Sequence, residues 1–179
     1  MFCRNRHRNP ETTSIGLLYL YSMLNLIKIT EQNRYVEEIR ILFQEYETEL
    51  NENLCFQSFE AELQDPLQKY GPPHGALYLA LWNHEPAGCI ALMPLKETGA
   101  CEMKRLYVRP AFRKHKIGKA LVQQLLLDAQ QLGYSTIKLD TLQKLQPAIE
   151  LYKQFGFVET TAYYENPLAA VVYMEKHLN

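Results

Sequence analysis

Seven basic side chains fall between Lys104 and Lys119, with no acid among them, in a chain whose formal net charge is -1. That is a local concentration of positive charge, not general basicity. The densest part is Arg113-Lys114-His115-Lys116-Ile117-Gly118-Lys119. From Ile117 the apolar spacing turns helical, because Ile117, Leu121, Leu125, Ala129 and Leu132 share one face. Gly133 stops this helix, as glycine commonly does just past a last turn. The basic loop therefore lies at a helix N-terminus, where the first N–H groups have no partner inside the helix and the dipole favours an anion. Phosphate binding is the chemistry this arrangement offers; a solvated basic loop is the plainer alternative. Nucleic acid also reads as phosphate, but the charge forms one cluster without interleaved aromatic stacking positions, and the whole chain is slightly acidic. Nucleic-acid binding ranks well below.

The elements around the loop must position it. Glu102 to Val108 is a strand candidate, which Arg109-Pro110 ends because proline lacks the N–H that a ladder needs. Tyr134 to Asp140 follows the helix and reads as a parallel neighbour by the strand-helix-strand rule. Upstream, Leu24 to Ile29 is a short strand, and Thr30 is placed to cap a helix whose apolar face is Val36, Ile39, Phe43 and Tyr46, with Ile41 and Leu42. Asn51 to Leu54 breaks that helix. Phe59, Leu63 and Leu67 suggest one further short helix ending near Pro66 to Tyr70, before the Gly71-Pro72-Pro73 loop. Ala76 to Trp82 and Ala87 to Met93 are apolar runs joined as a hairpin by Asn83-His84-Glu85-Pro86, which makes His84 and Glu85 turn residues. Pro147 suits the first turn of a helix that ends at Gly156. Phe157 to Thr161 and Ala169 to Glu175 are the last strands.

Two motifs carry a family resemblance. Leu106-Tyr107-Val108 followed by Arg113-Lys114-His115-Lys116-Ile117-Gly118 resembles the acetyl-CoA-binding motif of the GCN5-related N-acetyltransferases (GNAT), a Leu-Tyr-Val strand end and then Arg/Gln-x-x-Gly-x-Gly/Ala opening a helix. Ala148-Ile149-Glu150-Leu151-Tyr152-Lys153-Gln154-Phe155-Gly156-Phe157 is similar to the family's A-x-x-L-Y-x-x-x-G-F block. Both occur in order, with a strand candidate between them, and the resemblance runs from about Leu24 to the C-terminus. It implies an α/β (α+β) fold: a mixed sheet of about six to seven strands, splayed at its central parallel pair near Leu106 to Val108 and flanked by about four helices. It implies an acetyl-CoA-dependent N-acetyltransferase of residues 23–179, with acetyl-CoA as co-substrate and no metal.

The resemblance also distributes the chemistry. Backbone N–H groups of Arg113, Lys114, His115, Lys116, Ile117, Gly118, Lys119 and Ala120 would cradle the pyrophosphate. Exposed backbone of Leu106, Tyr107 and Val108 would hold the pantetheine arm and polarise the thioester carbonyl, with Thr141 and Asp140 at the matching end of the neighbouring strand. Asp140 equally suits a structural carboxylate. Tyr152 matches the tyrosine that protonates the departing thiolate, since a phenol near pKa 10 keeps its proton at neutral pH; a core tyrosine is the alternative. Glu102 matches a glutamate base of the histone-type members, and simple alternation over six residues puts it on the same strand face as Val108. An ordinary edge or solvent-facing glutamate fits as well, and many members use a water chain. Tyr163, Tyr164 and Glu165 are further candidates. Two positions depart from the family pattern: Lys116 replaces its first glycine, and Leu145 stands where many members have asparagine. If position 116 needs positive φ, lysine costs roughly 1–2 kcal/mol there.

The acceptor reads as a small or amino-acid-like amine. A protein acetyltransferase and a non-catalytic acyl-CoA-binding module, the latter motivated by Lys116, are the alternatives. Four scattered cysteines (Cys3, Cys55, Cys89, Cys101) with no C-x-x-C imply reduced thiols and a cytoplasmic setting. The five histidines show no metal-ligand spacing. No apolar run reaches the roughly 18 residues of a membrane span, and a homodimer is left open. Residues 1–22, polar and basic and then apolar, read as an N-terminal extension, poorly ordered at its beginning.

Overall fold

In the computed structural model, which describes residues 23–52, 54 and 58–178, a sheet of seven strands lies between two helical layers. The elements run β1 (Leu24–Lys28), α1 (Arg34–Leu50), α2 (Phe59–Gln64), α3 (Pro66–Tyr70), β2 (Ala76–Trp82), β3 (Glu85–Pro94) and β4 (Ala100–Val108). A 3-10 turn (Pro110–His115) then leads to α4 (Ile117–Gln131), β5 (Thr136–Leu142), α5 (Gln146–Gln154), β6 (Val158–Glu159) and β7 (Val171–His177). The strand order is β1-β2-β3-β4-β5-β7-β6, and only β4 and β5 pair in parallel. The expectation for residues 1–22 lies outside the described residues.

Each face of the sheet has its own core. On one, Ile117, Leu121, Leu125 and Ala129 of α4 are fully buried beside Ile90, Cys101, Met103 and Ile137. Leu132, assigned to the same face, is 37% exposed because α4 ends one residue before it. On the other, Val36, Ile39, Leu42 and Phe43 of α1 pack with Leu77, Leu79, Cys89 and Ala91. The period-2 alternation of the strands sorts these residues between the two layers.

Several boundaries differ from expectation. The N-cap of α1 is Asn33, not Thr30: its side chain accepts from Tyr35 N at 2.9 Å. The short helical segment is two helices, because Pro66 forces Asp65 out of helical backbone (φ -141, ψ 87) and Asp65 then caps α3 by accepting from Leu67 N. Asn83 and His84 both take positive φ and form the two-residue turn, whereas Glu85 and Pro86 already belong to β3.

The central strand holds the deviations that matter. The parallel ladder with β5 spans only Ala100↔Thr136, Cys101↔Ile137 and Glu102↔Lys138. The strands therefore separate directly after Glu102, well before the expected Leu106 to Val108. On its other edge β4 carries a β-bulge: Cys89 pairs Tyr107 and Ala91 pairs Lys104, so Arg105 and Leu106 together oppose Ile90. Arg105 sits there at φ 57. An inserted residue reverses the alternation beyond it. Glu102 consequently faces the α1 side and Val108 packs against the α4 side, so the same-face expectation for that pair does not hold. Gly88 pairs Val108 beyond the bulge, where a Cβ would come within 2.4 Å of Tyr107 O.

Candidate active site

Where β4 leaves β5, the sheet is open and a cleft of about 590 Å³ enters it. Its walls are Leu106, Tyr107 and Val108 of β4 and Pro147, Ala148 and Leu151 of α5, with Arg113, Lys116, Gly118 and Lys119 at one end. That end is the start of α4, which no side chain caps. Its first N–H groups face the cleft without an intrahelical acceptor. A Cβ on Gly118 would project between Val108 Cγ2 (3.7 Å) and Leu151 Cδ2 (3.6 Å), both cleft-wall side chains, so the glycine keeps this approach clear. Together with the unpaired β4 edge, this fits a phosphate-bearing chain laid along the strand.

The positive charge of the loop is smaller than the sequence suggests. Lys104 binds Asp140 at 2.8 Å, Arg105 binds Glu62, Arg109 binds Glu45 at 2.8 Å and Arg113 binds Glu49 at 2.6 Å. Among the described residues, Lys114, Lys116 and Lys119 alone of the seven have no acidic partner within ion-pair distance. All three are exposed. Of the expected phosphate cradle, the side chains of Lys114 and His115 are not on the cleft wall: His115 stacks on Trp82 with ring centroids 4.3 Å apart. Ile117 turns fully into the core. Lys116 adopts φ 59 and ψ 19, so the branch in which lysine replaces a positive-φ glycine is the one that applies.

A smaller cavity of about 60 Å³ continues from the cleft through the gap between the strands, sharing Tyr46, Leu50, Leu106, Leu145 and Ala148 with it. Here the two cores meet. Met103 and Tyr152 come from the α4 side, whereas Leu54, Leu142 and Leu168 come from the α1 side. Thr141 and Asp140 also line it. Tyr152 is buried, and burial pushes its phenol well above the ordinary value, so it stays protonated at neutral pH.

Glu102 is 5% exposed, which removes the solvent-facing alternative. It accepts from Tyr163 Oη at 2.6 Å and lies 3.5 Å from Lys104 Nζ. Burial and then the Glu102 charge push the Tyr163 phenol far up. Burial lowers the Lys104 ammonium, but Asp140 and Glu102 more than offset it, and the net direction is up. In register, Lys104 would be the ladder neighbour of Asp140; instead their side chains bridge the open gap. Asn166 donates to the second Asp140 oxygen at 3.1 Å. Asp140 lines the cavity and Glu102 does not. Tyr163 and Tyr164 stand on the same side, with Tyr173 packed against both.

The groups that sequence reasoning passed over are Tyr46, Glu62 and the paired roles of Lys104 and Arg105. One signal was available for the last two: consecutive charges at Lys104 and Arg105 break the alternation of the strand and point to a bulge. Nothing in the sequence marks Glu62 as the partner of Arg105 or Asp140 as that of Lys104.

No helix among the described residues is long and apolar enough to cross a membrane. Comparison with known proteins agrees with the geometry. The model of the Acetyltransferase (GNAT) family matches residues 36–157. An uncharacterized N-acetyltransferase of Schizosaccharomyces pombe is 46% identical over 145 residues, covering 80% of this chain and 89% of that protein. A GNAT-family acetyltransferase from Staphylococcus aureus superposes with a TM-score of 0.71 at 23% identity, over 87% of this chain and 100% of its own. The yncA structure from Salmonella typhimurium, described with its cofactor acetyl-CoA, has a TM-score of 0.61 at 13% identity over 86% of this chain and 94% of its own. The parallel pair that separates after three residues, the uncapped helix start beside it and this family match have one reading: the chain belongs to the GNAT family of acetyltransferases.

Proposed function

We propose that the protein is an acetyl-CoA-dependent N-acetyltransferase that acts on the primary amine of a small or amino-acid-like acceptor. The observation that carries this reading is the continuity of the cleft. It runs from the uncapped start of α4, along the unpaired edge of β4, into the cavity beside Tyr152. When bound, acetyl-CoA supplies a thioester whose carbonyl an amine attacks with loss of the thiolate. The start of α4, with Lys116 and Lys119, would hold the phosphates, and the free backbone of Leu106 to Val108 would hold the arm and donate to the carbonyl oxygen. Tyr152 keeps on Oη the proton that a departing sulphur needs. Glu102, held by Tyr163 and Lys104, would accept the amine's proton through water, because its carboxylate is not on the cavity wall. The small volume of the cavity supports a slender acceptor group.

The test has two stages. Acetyl-CoA at 100 times its dissociation constant adds about 2.7 kcal/mol of stability, which in a chain of this size raises the melting temperature by about 5–10 °C. Release of free CoA thiol is then followed over a panel of small amines and of lysine and N-terminal peptides. Turnover of small amines above peptides is expected. Peptide turnover alone would replace the acceptor class, and a melting shift without any turnover would leave a binding module.

A further inference from the structure

Lys104 and Arg105 are consecutive, yet both side chains leave β4 toward the α1 side, because Arg105 occupies the bulge in left-handed backbone. An L residue there costs roughly 1–2 kcal/mol, so something must hold it. The Arg105 side chain is 2% exposed. Its Nε and Nη2 donate to the two carboxylate oxygens of Glu62, at 2.8 and 3.0 Å. Glu62 lies on α2, is itself buried, and takes Lys69 of α3 as a second partner. The guanidinium also lies 5.2 Å from the Phe59 ring centroid and 5.9 Å from that of Tyr46. One side chain thus ties α1, α2 and the central strand together at the point where that strand has already left β5. A buried ion pair seldom adds stability over well-packed apolar residues of similar volume. What this pair fixes is geometry. We infer that Arg105 and Glu62 form a positioning clamp: it holds the bulge, and through it the angle at which Leu106, Tyr107 and Val108 turn their backbone to the cleft. Neither residue is assigned a bond to the reacting atoms.

The consequence for catalysis rests on the acetyl-transfer reading; the clamp itself does not. The decisive protein is the double variant Glu62→Met/Arg105→Met, which replaces the pair by apolar side chains and is expected to fold and melt near the parent. Its kcat/KM for acetyl-CoA is expected to fall about 100-fold, the effect of a displacement near 1 Å at a reacting centre, with kcat and the acetyl-CoA KM both moved. Amide hydrogen exchange at Tyr107 and Arg109, whose N–H groups face β3 (Arg109 N donates to Ala87 O at 2.9 Å), measured without cofactor, is expected to quicken, while Leu77 and Leu79 in the neighbouring core keep their parent rates. Parent values of kcat and acetyl-CoA KM in the double variant would overturn the clamp. A change confined to the acceptor KM would do so too, because it would make Arg105 an acceptor contact. If the double variant does not fold, Arg105→Lys and Glu62→Gln are read by the same kinetics, with loss in both expected. If the parent protein shows no acetyl-CoA binding or turnover, the functional reading fails, and the exchange data decide the clamp: unchanged rates at Tyr107 and Arg109 overturn it.

Discussion

Lys116→Gly separates backbone cost from side-chain benefit at the cleft. Lys116 holds φ 59 and ψ 19, where an L residue costs roughly 1–2 kcal/mol and glycine is unstrained. Glycine also widens the unfolded ensemble, which offsets about 0.4–1 kcal/mol of the gain. The lysine side chain is exposed and has no acidic partner among the described residues, so little is lost with it. The difference is about 1 kcal/mol in favour of glycine, which raises the melting temperature of a chain this size by about 2–4 °C. Lys116→Ala is the control: it removes the same charge and keeps the strained backbone. Calorimetry without cofactor should therefore place the glycine variant above the parent, and the alanine variant level with it. If alanine and glycine raise the melting temperature equally, relief of repulsion from Lys114 and Lys119 is the cause, and the backbone argument is refuted. With acetyl-CoA the same variant loses one unpaired cation at the helix start. An exposed charge contact is worth about 0–1 kcal/mol, so affinity falls by at most about fivefold, and less at high salt.

Tyr152→Phe is expected to lower kcat by about 10²–10⁴-fold while the melting shift with acetyl-CoA remains, since in the proposed mechanism the hydroxyl supplies a proton and takes no part in binding. Unchanged kcat would return Tyr152 to a packing role. The same variant tests linkage. The unfolded tyrosine ionises near pH 10, whereas burial keeps the folded one protonated above that. Stability is thus intact below about pH 10 and falls as pH rises beyond it, by about 1.4 kcal/mol per pH unit for this group. Denaturation between pH 10 and 11 should show a shallower decline in the phenylalanine variant than in the parent. Glu102→Gln keeps an oxygen for Tyr163 Oη to donate to but removes a charge beside Lys104, which retains Asp140. A folded protein is expected whose kcat falls by about 10²–10⁴-fold with acetyl-CoA affinity unaltered. Full activity in that variant, with loss in Asp140→Asn, would move the base to the carboxylate that lines the cavity.

What the sequence discloses here is what is local. The apolar run from Ala76 to Trp82, the helical stripe through Ile117 and Leu121, and the Gly118 and Tyr152 motifs are each written within about fifteen residues, and the elements stand where those patterns place them. Misplaced boundaries belong to residues whose local options were balanced, such as Thr30 against Asn33 as a helix cap. The charge pattern failed for a different reason. Arg105, Arg109 and Arg113 find Glu62, Glu45 and Glu49 across 43 and 64 residues of chain, and no window along the sequence contains both partners.

The bulge joins these two kinds of information. The doublet Lys104-Arg105 is local and breaks the period of the strand, yet whether it marks a bulge, a loop or a phosphate site depends on where Glu62 and Asp140 stand. Once both acids are in place, the doublet ceases to be part of an anion site. Lys104 spans the gap to β5, and Arg105 anchors the bulge to α2. The cations left to meet phosphate are then Lys114, Lys116 and Lys119, and of these Lys116 and Lys119 line the cleft. Recognition of an anion there must lean on the uncapped N–H groups of α4 more than on charge count. It follows that acetyl-CoA binding should depend on salt more weakly than seven cations would dictate, with Lys116 and Lys119 supplying most of the dependence that is present.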